Sequence, residues 1–208
     1  MKKDSFVIPL AILLLLLLCQ GCSNTYLEDS PTFKSSEATS MKSNTSANII
    51  TRTNLYEITE TEGLYYYALF DKTGNIVKSE SNLTRQPKII CIENNVVRIT
   101  IQAGTGIGTQ WGFYYDQENN TISAIYQCIF DEKNGIVAHA TMDKIIVESI
   151  FKNDDFYYKE INTFQKPFSD VAFPFVDAEF SENGNIIYVS YHSGSDYEET
   201  TEAFTLAN

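Results

Sequence analysis

Asp177-Ala178-Glu179-Phe180-Ser181-Glu182-Asn183-Gly184-Asn185-Ile186-Ile187 reads as two short strands joined by a polar turn. Glu182-Asn183-Gly184-Asn185 supplies residues that tolerate positive φ at low cost, which is the chemistry a hairpin turn needs. Ile186 and Ile187 are β-branched, stiff at χ1 and suited to a pleated surface. The stretch therefore predicts strands over 176–181 and 185–191, with the turn between them.

The same turn chemistry recurs upstream, at Asp71-Lys72-Thr73-Gly74-Asn75, Asn94-Asn95, Glu118-Asn119-Asn120 and Lys133-Asn134-Gly135. Tyr, Phe, Ile, Val and Thr dominate the runs between. No stretch after residue 54 sustains an apolar 3.6 period of helical length. Further strands are predicted at 64–70, 75–79, 87–92, 96–102, 110–116, 121–130, 135–140, 144–150, 155–161 and 198–206. One kind of turn falls near Asn94, Asp143 and Asn183. A second, near Thr73, Glu118, Asn153 and Gly194, alternates with it. That rhythm is an antiparallel four-stranded meander in loose repeat, and it predicts an all-β domain over 54–208.

Residues 177–187 also resemble the first hairpin of a β-propeller blade, in which a Phe-Ser pair precedes an acidic or Asn-Gly turn and a β-branched strand. About three and a half such units cover 64–206, and residues 48–60 are placed to supply missing strands. The resemblance implies a small, propeller-like domain. A β-sandwich built from the same hairpins is the alternative, and both stay open.

The N-terminus carries an address. Lys2 and Lys3 precede an apolar run, Phe6–Leu18, interrupted only by Pro9. As a helix this run is ~20 Å long, too short for a hydrocarbon core of about 30 Å, so a cleaved export signal over 1–21 is predicted. The end of the run, Leu18-Cys19-Gln20-Gly21-Cys22, resembles the lipobox of bacterial lipoproteins, with Cys19 where Leu is usual. The resemblance implies diacylglycerol on the Cys22 sulfur and a lasting hold on the extracytoplasmic face of the cell membrane. Cleavage of an ordinary secretory signal nearby is the competing reading. Residues 22–53, rich in Ser, Thr and Asn, cannot bury enough apolar surface to offset their ordering entropy, and read as a flexible polar spacer. Lipobox, spacer and β domain together resemble the small, uncharacterised lipoproteins of Gram-positive bacteria, a likeness that implies an address and no activity.

From residue 54 onward 10 Lys or Arg face 23 Asp or Glu, a balance of −13, and no cation follows Lys166. Phosphate contacts need cationic side chains, so nucleic acid is excluded as a partner. Cys91 and Cys128, both in apolar strand-like runs, can pair as a disulfide outside the cytoplasm or sit as buried free thiols. His139 and His192 are the only histidines. They leave little room for metal or triad chemistry, and no catalytic residue, metal ligand or cofactor is assigned.

Several constellations read as bland structure. Ala103-Gly104-Thr105-Gly106-Ile107-Gly108-Thr109 looks like a phosphate loop, but the strand-like Trp111-Gly112-Phe113-Tyr114-Tyr115 follows where a cradle needs a helix N-terminus. It is expected to be a flexible strand connection. His192-Ser193-Gly194-Ser195-Asp196 holds triad residue types in a row, which cannot converge, and is expected at a hairpin tip. His139 should share a face with Val137 as a hydrogen-bonded residue. Asp71, Asp154-Asp155 and Glu198-Glu199 are candidate oxygen ligands without a Ca²⁺-loop pattern, and read as solvated turns.

Consecutive aromatics at 65–67, 114–115 and 156–158 put rings on both faces of a strand. Tyr66, Trp111, Tyr114 and Tyr157 are thus candidate ligand-binding aromatics, set against packing between sheets. The expected function is a membrane-anchored, non-enzymatic domain binding an extracytoplasmic ligand or protein. A hydrolase using a carboxylate pair, or an accessory subunit of a membrane complex, is the alternative.

Overall fold

A computed structural model describes residues 47–206 apart from 94 and 153–155. The signal segment 1–21, Cys22, nearly all of the spacer and Asp154-Asp155 lie outside the described residues. Within them the fold is all-β, without an α-helix.

Among the described residues sixteen strands form four antiparallel sheets, each built from consecutive strands. The first holds β1 (Asn48–Arg52), β2 (Tyr56–Thr61), β3 (Leu64–Phe70) and β4 (Ile76–Leu83). The second holds β5 (Lys88–Glu93), β6 (Val96–Gln102), β7 (Gln110–Asp116) and β8 (Thr121–Ile122), with β9 (Tyr126–Gln127) also paired to β7. The third holds β10 (Ile129–Lys133), β11 (Ile136–Ala140), β12 (Ile145–Ser149) and β13 (Tyr158–Ile161). The fourth has three strands, β14 (Phe175–Phe180), β15 (Ile186–Ser193) and β16 (Glu198–Thr205).

The expected hairpin is present. Phe180 pairs with Ile187, and Gly184 takes a φ of 75° in the turn. Ser181 Oγ accepts the Ile186 N–H at 3.0 Å, closing a turn that Asn183 Oδ1 supports by accepting from Asn185 N–H. Positive φ recurs at Gly74, Asn95, Asn120, Asn134 and Gly135, where the turn residues predicted it.

Two expectations need correction. The β domain begins at Asn48 rather than 54, because Asn48–Arg52 pairs along β2 and takes Ile49 and Ile50 out of the assigned spacer. The single strand expected over 121–130 is three short ones, since the chain crosses there from one sheet to the next. Tyr126 and Gln127 pair with β7, Cys128 turns at φ 51°, and Ile129 starts the pairing with β11.

Three hydrophobic clusters join the sheets in chain order, first to second, second to third and third to fourth. The two middle sheets are thus buried on both faces, and strand parity decides which neighbour each side chain meets. On β7, Phe113 and Tyr115 face the first sheet while Tyr114 faces the third. On β11, Val137 packs toward the second sheet, and Ala138 and Ala140 toward the fourth. Those two small side chains share their cluster with bulky Phe175, Phe180 and Tyr191. The connection between β13 and β14 adds Phe164, whose ring centroid lies 4.9–5.7 Å from those of Phe168, Phe175, Tyr191 and Phe204.

Candidate functional site

The glycine-rich run 103–109 connects β6 to β7 without a helix behind it, as expected of a strand connection. Its tip is a single 3₁₀ turn, Ile107–Thr109, closed by Thr109 Oγ1 donating to Gly106 O at 2.6 Å. Gln127 Nε2 donates to Gly108 O at 3.2 Å, and the Cys128 thiol reaches Ile107 O at 3.5 Å. Gly108 lies against Phe173. A Cβ there would sit 3.0 Å from the ring, so any side chain would displace it. Phe173 is in turn held edge-on by Phe175, with centroids 5.8 Å apart.

This close approach frames a pocket of about 430 Å³, lined chiefly by Ile107, Gly108, Met142, Phe173, Val176 and His192. Met142, from the β11–β12 turn, is 65% exposed, and Ile107 is 47% exposed, so the mouth has an apolar rim. His192 belongs to β15, and its main chain is fixed by a hydrogen bond from its N–H to Pro174 O. Its imidazole Nδ1 is buried and has no partner among the described residues.

The sequence-predicted aromatics are not gathered here. Tyr66, on β3, lies half-buried opposite Thr59. Trp111 lines a separate hollow of about 230 Å³ with Arg85 and Leu83. Tyr157 is half-buried against the cluster between the third and fourth sheets. Tyr114 is wholly buried and is withdrawn as a ligand-binding residue. Because the second sheet is covered on both faces, its ring meets Tyr126 and its hydroxyl donates to Glu132 at 3.1 Å.

Cys91 and Cys128 are free thiols, which sets the disulfide aside. Cys91 is exposed on β5, at an edge of the second sheet, whereas Cys128 is buried where the chain leaves that sheet. Burial pushes the Cys128 thiol up to about 12. Since the thiolate is the reactive form, at pH 8 a disulfide reagent should label Cys91 rapidly and Cys128 only after denaturation. Failure to find Cys91 and Cys128 both as thiols after denaturation without reductant would restore the disulfide.

His139 shares the Val137 face as expected. It stacks on Tyr126 at 4.9 Å and bonds Glu148 Oε1 at 3.0 Å. Burial lowers its pKa, against the opposing pull of Glu148. Gly194 carries the predicted turn after His192-Ser193, at φ 66°. Asp71 ties its own turn, accepting from Thr73 Oγ1 at 2.7 Å and from Asn75 N–H at 2.9 Å; these bonds, that from the Thr73 hydroxyl first, hold its carboxyl down at about 2. Glu198 pairs with Lys166 at 2.8 Å.

A second hollow, of about 360 Å³, gathers Glu93, Asp116 and Glu132. Two of the three are already engaged. Glu132 meets Arg98 and Tyr114, and Asp116 accepts from Glu118 N–H, Asn119 N–H and Asn119 Nδ2.

No family model and no curated protein matches this chain. A solved structure to which it is similar is "KlHsv2 with loop 6CD replaced by a Gly-Ser linker", at 8% identity. That match covers 77% of this chain and 63% of the other, with a TM-score of 0.28. The chain thus spans less than two thirds of that protein's length, and a likeness this slight carries neither fold nor function across.

Proposed function

We propose that this chain is a lipoprotein held by acylated Cys22 on the extracytoplasmic face of the cell membrane, whose β domain binds a ligand without catalysis. The binding half rests on one observation, the concave apolar pocket of about 430 Å³ framed by Ile107, Met142 and Phe173. Small-molecule sites take this form: largely apolar walls, a few polar groups, and a volume of roughly 300–1,000 Å³. Hydrolysis by a carboxylate pair has less support, because Glu132 and Asp116 are tied up by neighbours rather than facing a substrate.

Both halves have a direct test. Cys22→Ala should move the protein from the membrane fraction to the released fraction, and an unchanged distribution rejects the anchor. An uncharged apolar dye such as Nile red should bind the wild-type chain saturably, one to one. Ala172→Trp should abolish that binding, because Ala172 is an exposed part of the lining and an indole there fills the mouth without entering the core. Binding unaffected by the indole would remove the pocket from consideration.

A further inference from the structure

We propose that the ligand of this pocket is an uncharged, mostly apolar small molecule bearing a hydroxyl group that hydrogen-bonds the His192 imidazole. The inference rests on the reading of the pocket as the binding site and adds the chemical class of its occupant.

Charge is settled by the lining. Among the described residues no Lys, Arg, Asp or Glu contributes to it. An ionised ligand would lose its hydration there without gaining a counter-charge, which is prohibitive in an apolar site. An anion would also have to approach a domain whose residues from 54 onward carry a balance of −13.

The polar requirement comes from the same walls. Thr109 Oγ1 donates to Gly106 O and Gln127 Nε2 donates to Gly108 O, so both side chains are engaged in holding the loop. His192 is different. Its ring lines the pocket with no hydrogen-bond partner among the described residues; Nδ1 is shut away from solvent as the ring stands, which leaves Nε2 as the nitrogen open to a ligand. A half-turn about χ2 exchanges Nδ1 with Cδ2 and Cε1 with Nε2, so each edge of the ring carries one nitrogen in either orientation. In neutral imidazole one nitrogen donates and the other accepts. A hydroxyl, which does both, satisfies whichever is presented. A carbonyl or ether can only accept, and a methyl does neither.

Three probes of nearly equal size separate these terms: 1-naphthol, 1-methylnaphthalene and 1-naphthoate, measured by equilibrium dialysis against the purified full chain. 1-Naphthol should bind roughly tenfold tighter than 1-methylnaphthalene, as one well-made hydrogen bond allows, and 1-naphthoate weaker than both. His192→Phe should bring 1-naphthol down to the level of 1-methylnaphthalene and leave the latter nearly unchanged. His192→Gln, which keeps a donor and an acceptor, should retain part of the preference. Equal affinities for the naphthol and the methyl compound overturn the inference while leaving the pocket standing. So does a preference that survives His192→Phe, or tightest binding of the naphthoate. Binding of none of the probes, or binding indifferent to Ala172→Trp, overturns the pocket and the inference together.

Discussion

Tyr191→Ala is expected to lower unfolding stability by about 3–5 kcal/mol. Tyr191 is wholly buried on β15, with Phe164 at 4.9 Å and Phe168 at 5.3 Å between ring centroids. Truncation removes the ring from the centre of an aromatic cluster whose members come from β14, β15, β16 and the 162–174 connection, and these cannot all collapse into the gap. A polar loss adds to the cavity. The Tyr191 hydroxyl donates to buried Glu202 and accepts the Lys166 N–H at 3.3 Å, tying the connection down to the fourth sheet. Tyr191→Phe isolates this second effect. Glu202 would keep only the Gln165 N–H, at 2.9 Å, and the expected cost is about 1–3 kcal/mol. Urea unfolding midpoints with unchanged slope measure both. A loss below about 1 kcal/mol for the alanine variant would mean that the connection does not pack as described.

Much of this architecture is readable locally. Asn95, Asn120, Asn134, Gly135 and Gly184 each take the positive φ their turns require, and strands 64–70, 96–102 and 110–116 carry the bounds their composition suggests. What fails locally is what depends on neighbours far away in the chain. β2 is written Tyr-Glu-Ile-Thr-Glu-Thr, too polar to claim a strand of its own among those predicted, yet Ile58 is buried because the second sheet packs over it. Parity correctly splits Tyr114 from Tyr115. Only the stacking of a sheet on each side decides that neither ring meets solvent. The pocket was not legible at all. Its walls come from residues near 107, 142, 173 and 192, none of which carries a chemical signature, and its one hint was a glycine run better explained as a connection. His192 stands out in sequence for the Ser and Asp beside it, whereas in space what sets it apart is an imidazole with no hydrogen-bond partner among the described residues.

The second large effect is electrostatic. Arg98, on β6, meets Glu132, on β10, across the interface between the second and third sheets, and their side chains are 14% and 12% exposed. Tyr114 completes the group by donating to the same carboxylate oxygen. Arg98→Met should cost about 3–5 kcal/mol, since it strands a nearly buried carboxylate with a phenol as its remaining partner. The converse does not follow, that the pair itself is worth that much. Withdrawing both ions from water is expensive, and Arg98 Nε is still left without a partner among the described residues. Replacing both residues at once, Arg98→Met with Glu132→Leu, should therefore restore most of the loss, ending within about 1 kcal/mol of wild type or above it. A double-mutant cycle by urea unfolding reads the difference. Strong non-additivity is the signature of an ion pair that aligns two sheets at little net gain. Losses that simply add would mean each side chain stabilises the interface by its own packing, and Glu132 would then be free to serve the acidic hollow it lines.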